Sequence, residues 1–185
     1  MNQIIDLPQY TPEDLLTIPE SQRFELINGQ LVERNMGAES SRVGTKLIWL
    51  LGNHVEPQKL GHIFSSECGY QIFPESNRVR FADGSFIARG RLPNEKPPKG
   101  HVRIPPDLAF EVVSPNDLAE EVEAKVEEYL HAGIRLIWVI FPSTQSVYVY
   151  RAGGSVSRFT KSQEVSGEDV IPGFVFRVED LFTDL

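Results

Sequence analysis

Cysteine is almost missing. Cys68 is the only one in 185 residues, so no internal disulfide can form and the fold must rest on packing. Histidine is sparse as well, and His54, His62, His101 and His131 stand apart without the paired spacing of a zinc site. No stretch approaches the about 18 apolar residues of a membrane span, since the longest, 134–141, already contains Arg135. The start, Met1-Asn2-Gln3-Ile4-Ile5-Asp6, lacks the basic stretch and apolar run of a secretory signal. The expectation is a protein of the reducing cytoplasm with no membrane partner. Missing too are a Gly-rich phosphate loop followed by lysine and a Gly-x-Ser-x-Gly elbow.

Positive charge is also short. Eighteen Lys and Arg against 26 Asp and Glu leave a formal charge of −8, which argues against coating nucleic acid through a general field. The distribution is uneven, because Arg78, Arg80, Arg89, Arg91, Lys96, Lys99 and Arg103 meet only Asp83 and Glu95 between positions 78 and 103. That stretch is either a solvated basic loop or a phosphate-facing patch on a repellent body.

What is present reads as one domain over 1–185, with 41% hydrophobic residues to build a core. No repeat or low-complexity tract interrupts it. Thr11-Pro12-Glu13-Asp14 opens a short helix, and Asn28-Gly29 between Phe24–Ile27 and Gln30–Glu33 signals a β-hairpin. Val43, Leu47, Leu50, Leu51 and Val55 recur at helical spacing, predicting a helix that ends before Pro57. Short strands follow near 63–65, 69–73, 78–81 and 85–88, and the proline-rich stretch 89–107 forms a long loop. Leu108–Val113, a helix from about Ser114 to His131, and Ile134–Phe141 form a β-α-β unit with parallel strands. The tail adds short strands and a turn at Ile171-Pro172-Gly173-Phe174. The fold class is α/β, of mixed α+β character, with a central mixed sheet flanked by helices and an N-terminal hairpin.

Three charged residues are costly to place within that fold. Glu111 interrupts the apolar run Leu-Ala-Phe-Glu-Val-Val, so its carboxylate must be paired, metal-bound or protonated, or lie at an edge. Lys125 falls within about 20° of Leu118 at about 100° per residue, inside the apolar stripe with Val122, Val126 and Tyr129. Its ammonium either snorkels outward or approaches Glu111 on the preceding strand. Asp83 precedes Gly84 as a third acid that can approach sideways, or simply makes an Asp-Gly turn. Asp107 is a poorer candidate, because four residues along one strand place it roughly 13 Å from Glu111. It is expected to cap the strand entrance instead.

Phe24-Glu25-Leu26-Ile27-Asn28-Gly29, Asp83-Gly84-Ser85-Phe86, Pro106-Asp107-Leu108-Ala109-Phe110-Glu111-Val112-Val113-Ser114-Pro115, then Lys125, Tyr129, Gly133 and Trp138 form a recognisable series. Over nearly the whole chain it resembles the large bacterial restriction endonuclease family of unknown substrate within the PD-(D/E)XK nuclease superfamily. Two positions depart from the pattern: Ala82 stands where the family usually has proline, and Val113 where the superfamily usually has its lysine. The resemblance implies a metal-dependent phosphodiesterase core in which Asp83 and Glu111 bind Mg2+ (or Mn2+). It further implies that Lys125 stands near the attacking water and that Glu25 is an auxiliary acid. The basic residues from Arg78 to Arg103 would then hold nucleic-acid phosphates, with DNA as the expected partner. The alternative is a catalytically silent nucleic-acid or protein-interaction module on the same fold, and a third reading is a structural dimer. Exposed strands in the β-rich half would suit a homodimer.

Overall fold

The computed structural model describes residues 9–35, 37–73 and 77–183. Its centre is a six-stranded mixed sheet, and a four-stranded antiparallel sheet and a two-stranded hairpin complete the β structure among these residues. The first elements follow local chemistry. Thr11 caps α1 (Pro12–Leu15) through a reciprocal bond with Asp14. Strands β1 (Phe24–Ile27) and β2 (Gln30–Glu33) form the expected hairpin, in which Asn28 (φ 51°) and Gly29 (φ 80°) both take the left-handed backbone that the two-residue turn demands.

Helix α2 (Ala38–Gln58) runs past Pro57, contrary to the expectation that it stops earlier. Pro57 forfeits one helical hydrogen bond in the last turn, and the left-handed Lys59 ends the helix just beyond it. Val43, Leu47, Leu51 and Val55 are buried along the same helix, each stabilising it by roughly 1.5–3 kcal/mol, which outweighs one missing bond.

The central sheet contains β3 (Gly61–Ser65), β6 (Gly84–Ala88), β7 (Leu108–Val112), β8 (Leu136–Phe141), β9 (Ser146–Arg151) and β10 (Val156–Thr160), in the order β10-β9-β8-β7-β6-β3. Strands β7 and β8 run parallel, joined by α3 (Ala119–His131), and their neighbours pair antiparallel. Side-chain alternation divides β7 between the two faces. Leu108, Phe110 and Val112 meet α2, whereas Ala109 joins Val126 and Tyr129 of α3 in a separate core. Glu111 therefore belongs to the α3 face, the one Lys125 approaches.

The second sheet has the order β2-β1-β5-β4, with β4 at Gly69–Phe73 and β5 at Arg78–Phe81. The connection between β6 and β7 is long but anchored: Val102 exchanges backbone hydrogen bonds with Gly69 and Gln71 and is buried beside Leu92. Asp107 closes the strand entrance by accepting the Ala88 N–H at 2.8 Å and pairing with Arg91 at 2.8 Å. The tail forms the hairpin of β11 (Glu164–Ser166) and β12 (Val175–Arg177), and Phe174 and Phe176 pack on Trp138. No helix among the described residues is long and apolar enough to cross a membrane.

Candidate active site

Strand pairing brings distant acids together. Leu26 of β1 stands opposite Val79 of β5, so Glu25 reaches the end of β5, where its Oε1 accepts the Phe81 N–H at 2.9 Å. Next along the chain, Gly84 faces Phe110 across the β6–β7 pair, and a Cβ there would lie 2.3 Å from the Phe110 ring. Glycine is required by that close approach, which sets Asp83 beside β7 with its Oδ2 accepting the Val112 N–H at 2.7 Å. Gly84 is thus a contact between strands, and Asp83 is more than a turn former.

Lys125 comes down from α3 onto this junction. Its Nζ donates to Glu111 Oε2 at 3.0 Å and the Phe81 carbonyl at 3.0 Å, and lies 3.1 Å from Glu25 Oε1. Three acceptors match the three protons of the ammonium. Tyr129, one turn further along the helix, donates its hydroxyl to Glu111 Oε1 at 2.8 Å. Glu25, Asp83, Glu111 and Lys125 all line one cleft of about 570 Å³, walled also by Arg34, Asn35 and Val122.

Behind the cleft lies a largely buried ionic chain. Arg80 donates to Glu25 Oε2 at 2.7 Å and grips both oxygens of Glu128 at 2.8 and 2.9 Å, while Arg78 reaches Glu128 at 2.6 Å and Asn28 at 2.7 Å. Arg78 and Arg80, expected to hold phosphates, are both engaged with internal partners in this structure. Arg80 is only 8% exposed and turned toward two carboxylates. Arg91 pairs with Asp107 and Arg103 with Glu13, and of the seven basic residues only Arg80 lines the cleft. Arg89, Lys96 and Lys99 are exposed away from the cleft lining. For Glu128 the sequence offers one signal, its place three residues after Lys125 on the same helix. Arg34 carried no signal beyond following the hairpin.

The acids differ in charge balance. Burial works to raise Glu25, but the Lys125 and Arg80 charges, with the Phe81 N–H, overcome it and hold the carboxyl at about 2. Burial raises Glu111, and although Lys125 opposes this, the Asp83 and Glu25 charges add to it and push the group up to about 7. Asp83 is raised by burial ahead of the lowering influence of Lys125, the Val112 N–H and Arg34. Lys125 is penalised by burial, yet three carboxylates hold it firmly protonated.

Asp83 and Glu111 fit a hard divalent cation. They offer carboxylate oxygens, and Asp83 Oδ1 accepts no hydrogen bond from a described residue. Magnesium commonly takes one or two carboxylates and keeps several waters. Among the described residues, no group of three or more His, Cys, Asp or Glu forms an all-protein cage.

Comparison with known proteins follows the same geometry. A crystal structure of a putative nuclease from Anabaena variabilis superposes with a TM-score of 0.76 at 23% identity, covering 93% of this chain and 97% of that one. It shows the same restriction-endonuclease-like architecture. No curated protein matches the sequence. The family model named Uma2, described as a putative restriction endonuclease, matches residues 12–179, a span that contains both walls of the cleft and every acid in it; the chain belongs to the Uma2 family.

Proposed function

We propose that the protein is a magnesium- or manganese-dependent DNA endonuclease of the PD-(D/E)XK type, hydrolysing phosphodiester bonds in this cleft. The observation that carries the reading is the convergence of Asp83, Glu111 and Lys125 from three separate elements, with the ammonium 3.0 Å from the Glu111 carboxylate. Asp83 and Glu111 would hold the ion. When bound, it supplies Lewis-acid polarisation of the phosphate and a lowered pKa for coordinated water. Lys125, kept charged by its acidic neighbours, offsets through its field the negative charge that builds around phosphorus. Glu25 positions that ammonium, and Arg80 and the Phe81 N–H position Glu25 in turn. Lysine from the helix thereby takes the place of the side chain absent at Val113.

Incubation of purified protein with plasmid and linear DNA, with and without Mg2+ or Mn2+, tests the reading. Cleavage should require the metal and disappear in Asp83→Ala and Glu111→Ala. Cleavage that persists in both variants overturns the assignment. The second reading, a silent binding module, draws on the internal pairing of Arg78, Arg80, Arg91 and Arg103, which removes much of the free basic charge. It predicts that calorimetry finds no magnesium binding that depends on Glu111.

A further inference from the structure

We infer that Arg34 is the phosphate-binding cation of the cleft, contacting a nonbridging oxygen of the phosphodiester held next to Asp83; this rests on the nuclease reading. Three cations line the cleft, namely Arg34, Arg80 and Lys125. Lys125 spends its three protons on Glu25, Glu111 and the Phe81 carbonyl, and Arg80 is buried against Glu25 and Glu128. Neither can turn to a ligand without leaving a buried carboxylate unpaired, which is a costly exchange.

Arg34 is arranged differently. The two protons of its Nη1 go to the carbonyls of Gln22 at 3.1 Å and Ser66 at 3.0 Å, and its guanidinium lies 5.1 Å from the centre of the Phe81 ring. These contacts fix the plane of the group before any ligand arrives. Its Nη2 stands 4.0 Å from Asp83 Oδ1, which is beyond hydrogen-bond distance, and it has no other acceptor among the described residues. Arg34 therefore does not clamp Asp83. It presents a rigid, open donor beside the acid that would hold the metal, on a side chain that lines the cleft and is 14% exposed. A planar guanidinium with a free edge suits a phosphate oxygen, and being held in advance reduces the ordering cost of binding.

The test separates phosphate binding from support of Asp83. Ca2+ replaces Mg2+ to permit binding without turnover, and fluorescence anisotropy follows a short fluorescein-labelled DNA duplex. Calorimetry measures Mn2+ binding without DNA. Arg34→Met, which keeps the stem over Phe81, should weaken duplex binding by about tenfold or more, the loss of one charge-assisted hydrogen bond. Its Mn2+ affinity should stay level or rise, because a repelling charge has gone. Arg34→Lys should recover part of the duplex binding, and it carries the test if the methionine variant folds poorly. Mn2+ affinity that falls in step with duplex binding, or duplex binding unchanged in both variants, overturns the role. A wild-type protein that binds neither Mn2+ nor duplex overturns the nuclease reading, and the role of Arg34 with it.

Discussion

The two walls of the cleft contain the same chemical group in opposite conditions. On the wall built from β1 and β5, Glu25 shares two cations and a backbone N–H and is held at about 2. On the wall built from β6 and β7, Glu111 has burial, two acidic neighbours, the shared ammonium and the neutral Tyr129 hydroxyl, and is pushed up to about 7. Burial is common to both, so the sign of the neighbouring charges decides the outcome. One wall is electrically closed and can position its neighbours. The other holds negative charge in excess, the state that a divalent cation would relieve.

Breaking the closed wall should have the largest effect. Arg80→Met removes a guanidinium partner from the buried Glu25 and the two-pronged partner of the half-buried Glu128, and unfolding by denaturant should show a loss of about 3–5 kcal/mol. A loss below about 1 kcal/mol would mean that the ionic chain is not structural. Glu25→Gln sharpens the comparison through pH. Because the folded-state pKa of Glu25 lies below its ordinary 4.5, its stabilisation is complete above that value and disappears as pH falls through about 2. The stability gap between wild type and Glu25→Gln, on the order of 3 kcal/mol from this linkage at pH 6, should narrow steadily between about pH 4.5 and 2. A gap that is flat with pH contradicts the pairing.

The open wall depends on a contact without charge. Gly84→Ala drives a methyl group into the Phe110 ring, so stability should fall by about 1–3 kcal/mol while β6 shifts against β7. Asp83 would move with it. Metal affinity should therefore drop alongside the melting temperature, whereas a variant that loses stability and retains full Mn2+ binding would show that Asp83 is held independently of that strand contact.

Much of this arrangement is legible in the sequence where the interactions are short in chain distance. The apolar run of β7 and the helical stripe of α3 single out Glu111 and Lys125 as two charges that one contact would reconcile, and the structure brings them to 3.0 Å. Asn28-Gly29 specifies its hairpin for the same local reason. Arg80 could not be placed this way. Its neighbour Glu25 is set by the pairing of β1 with β5 across some fifty positions, and the density of basic residues from 78 to 103 carries no information about which of them turn inward. Pro57 misleads for a related reason, since a local stop signal was outweighed by the burial of α2 against a sheet formed much later in the chain.

Tyr129 offers the smallest and most specific way to tilt the open wall. Its hydroxyl is buried and donates to Glu111 Oε1, while Lys125 takes the opposite oxygen. Tyr129→Phe keeps the ring packed among Ala109, Val126 and Ile137, so the core loses no volume. What it removes is a neutral donor that orients a carboxylate. Loss of such an outer partner commonly weakens metal affinity by about 10–100-fold, and the lower end is expected because Lys125 still holds Glu111. Calorimetry with Mn2+ should record that loss, with the melting temperature lowered by only a few degrees. Affinity equal to wild type would show that Lys125 alone orients Glu111, and the open wall would then owe its geometry to the same ammonium that the closed wall holds in place.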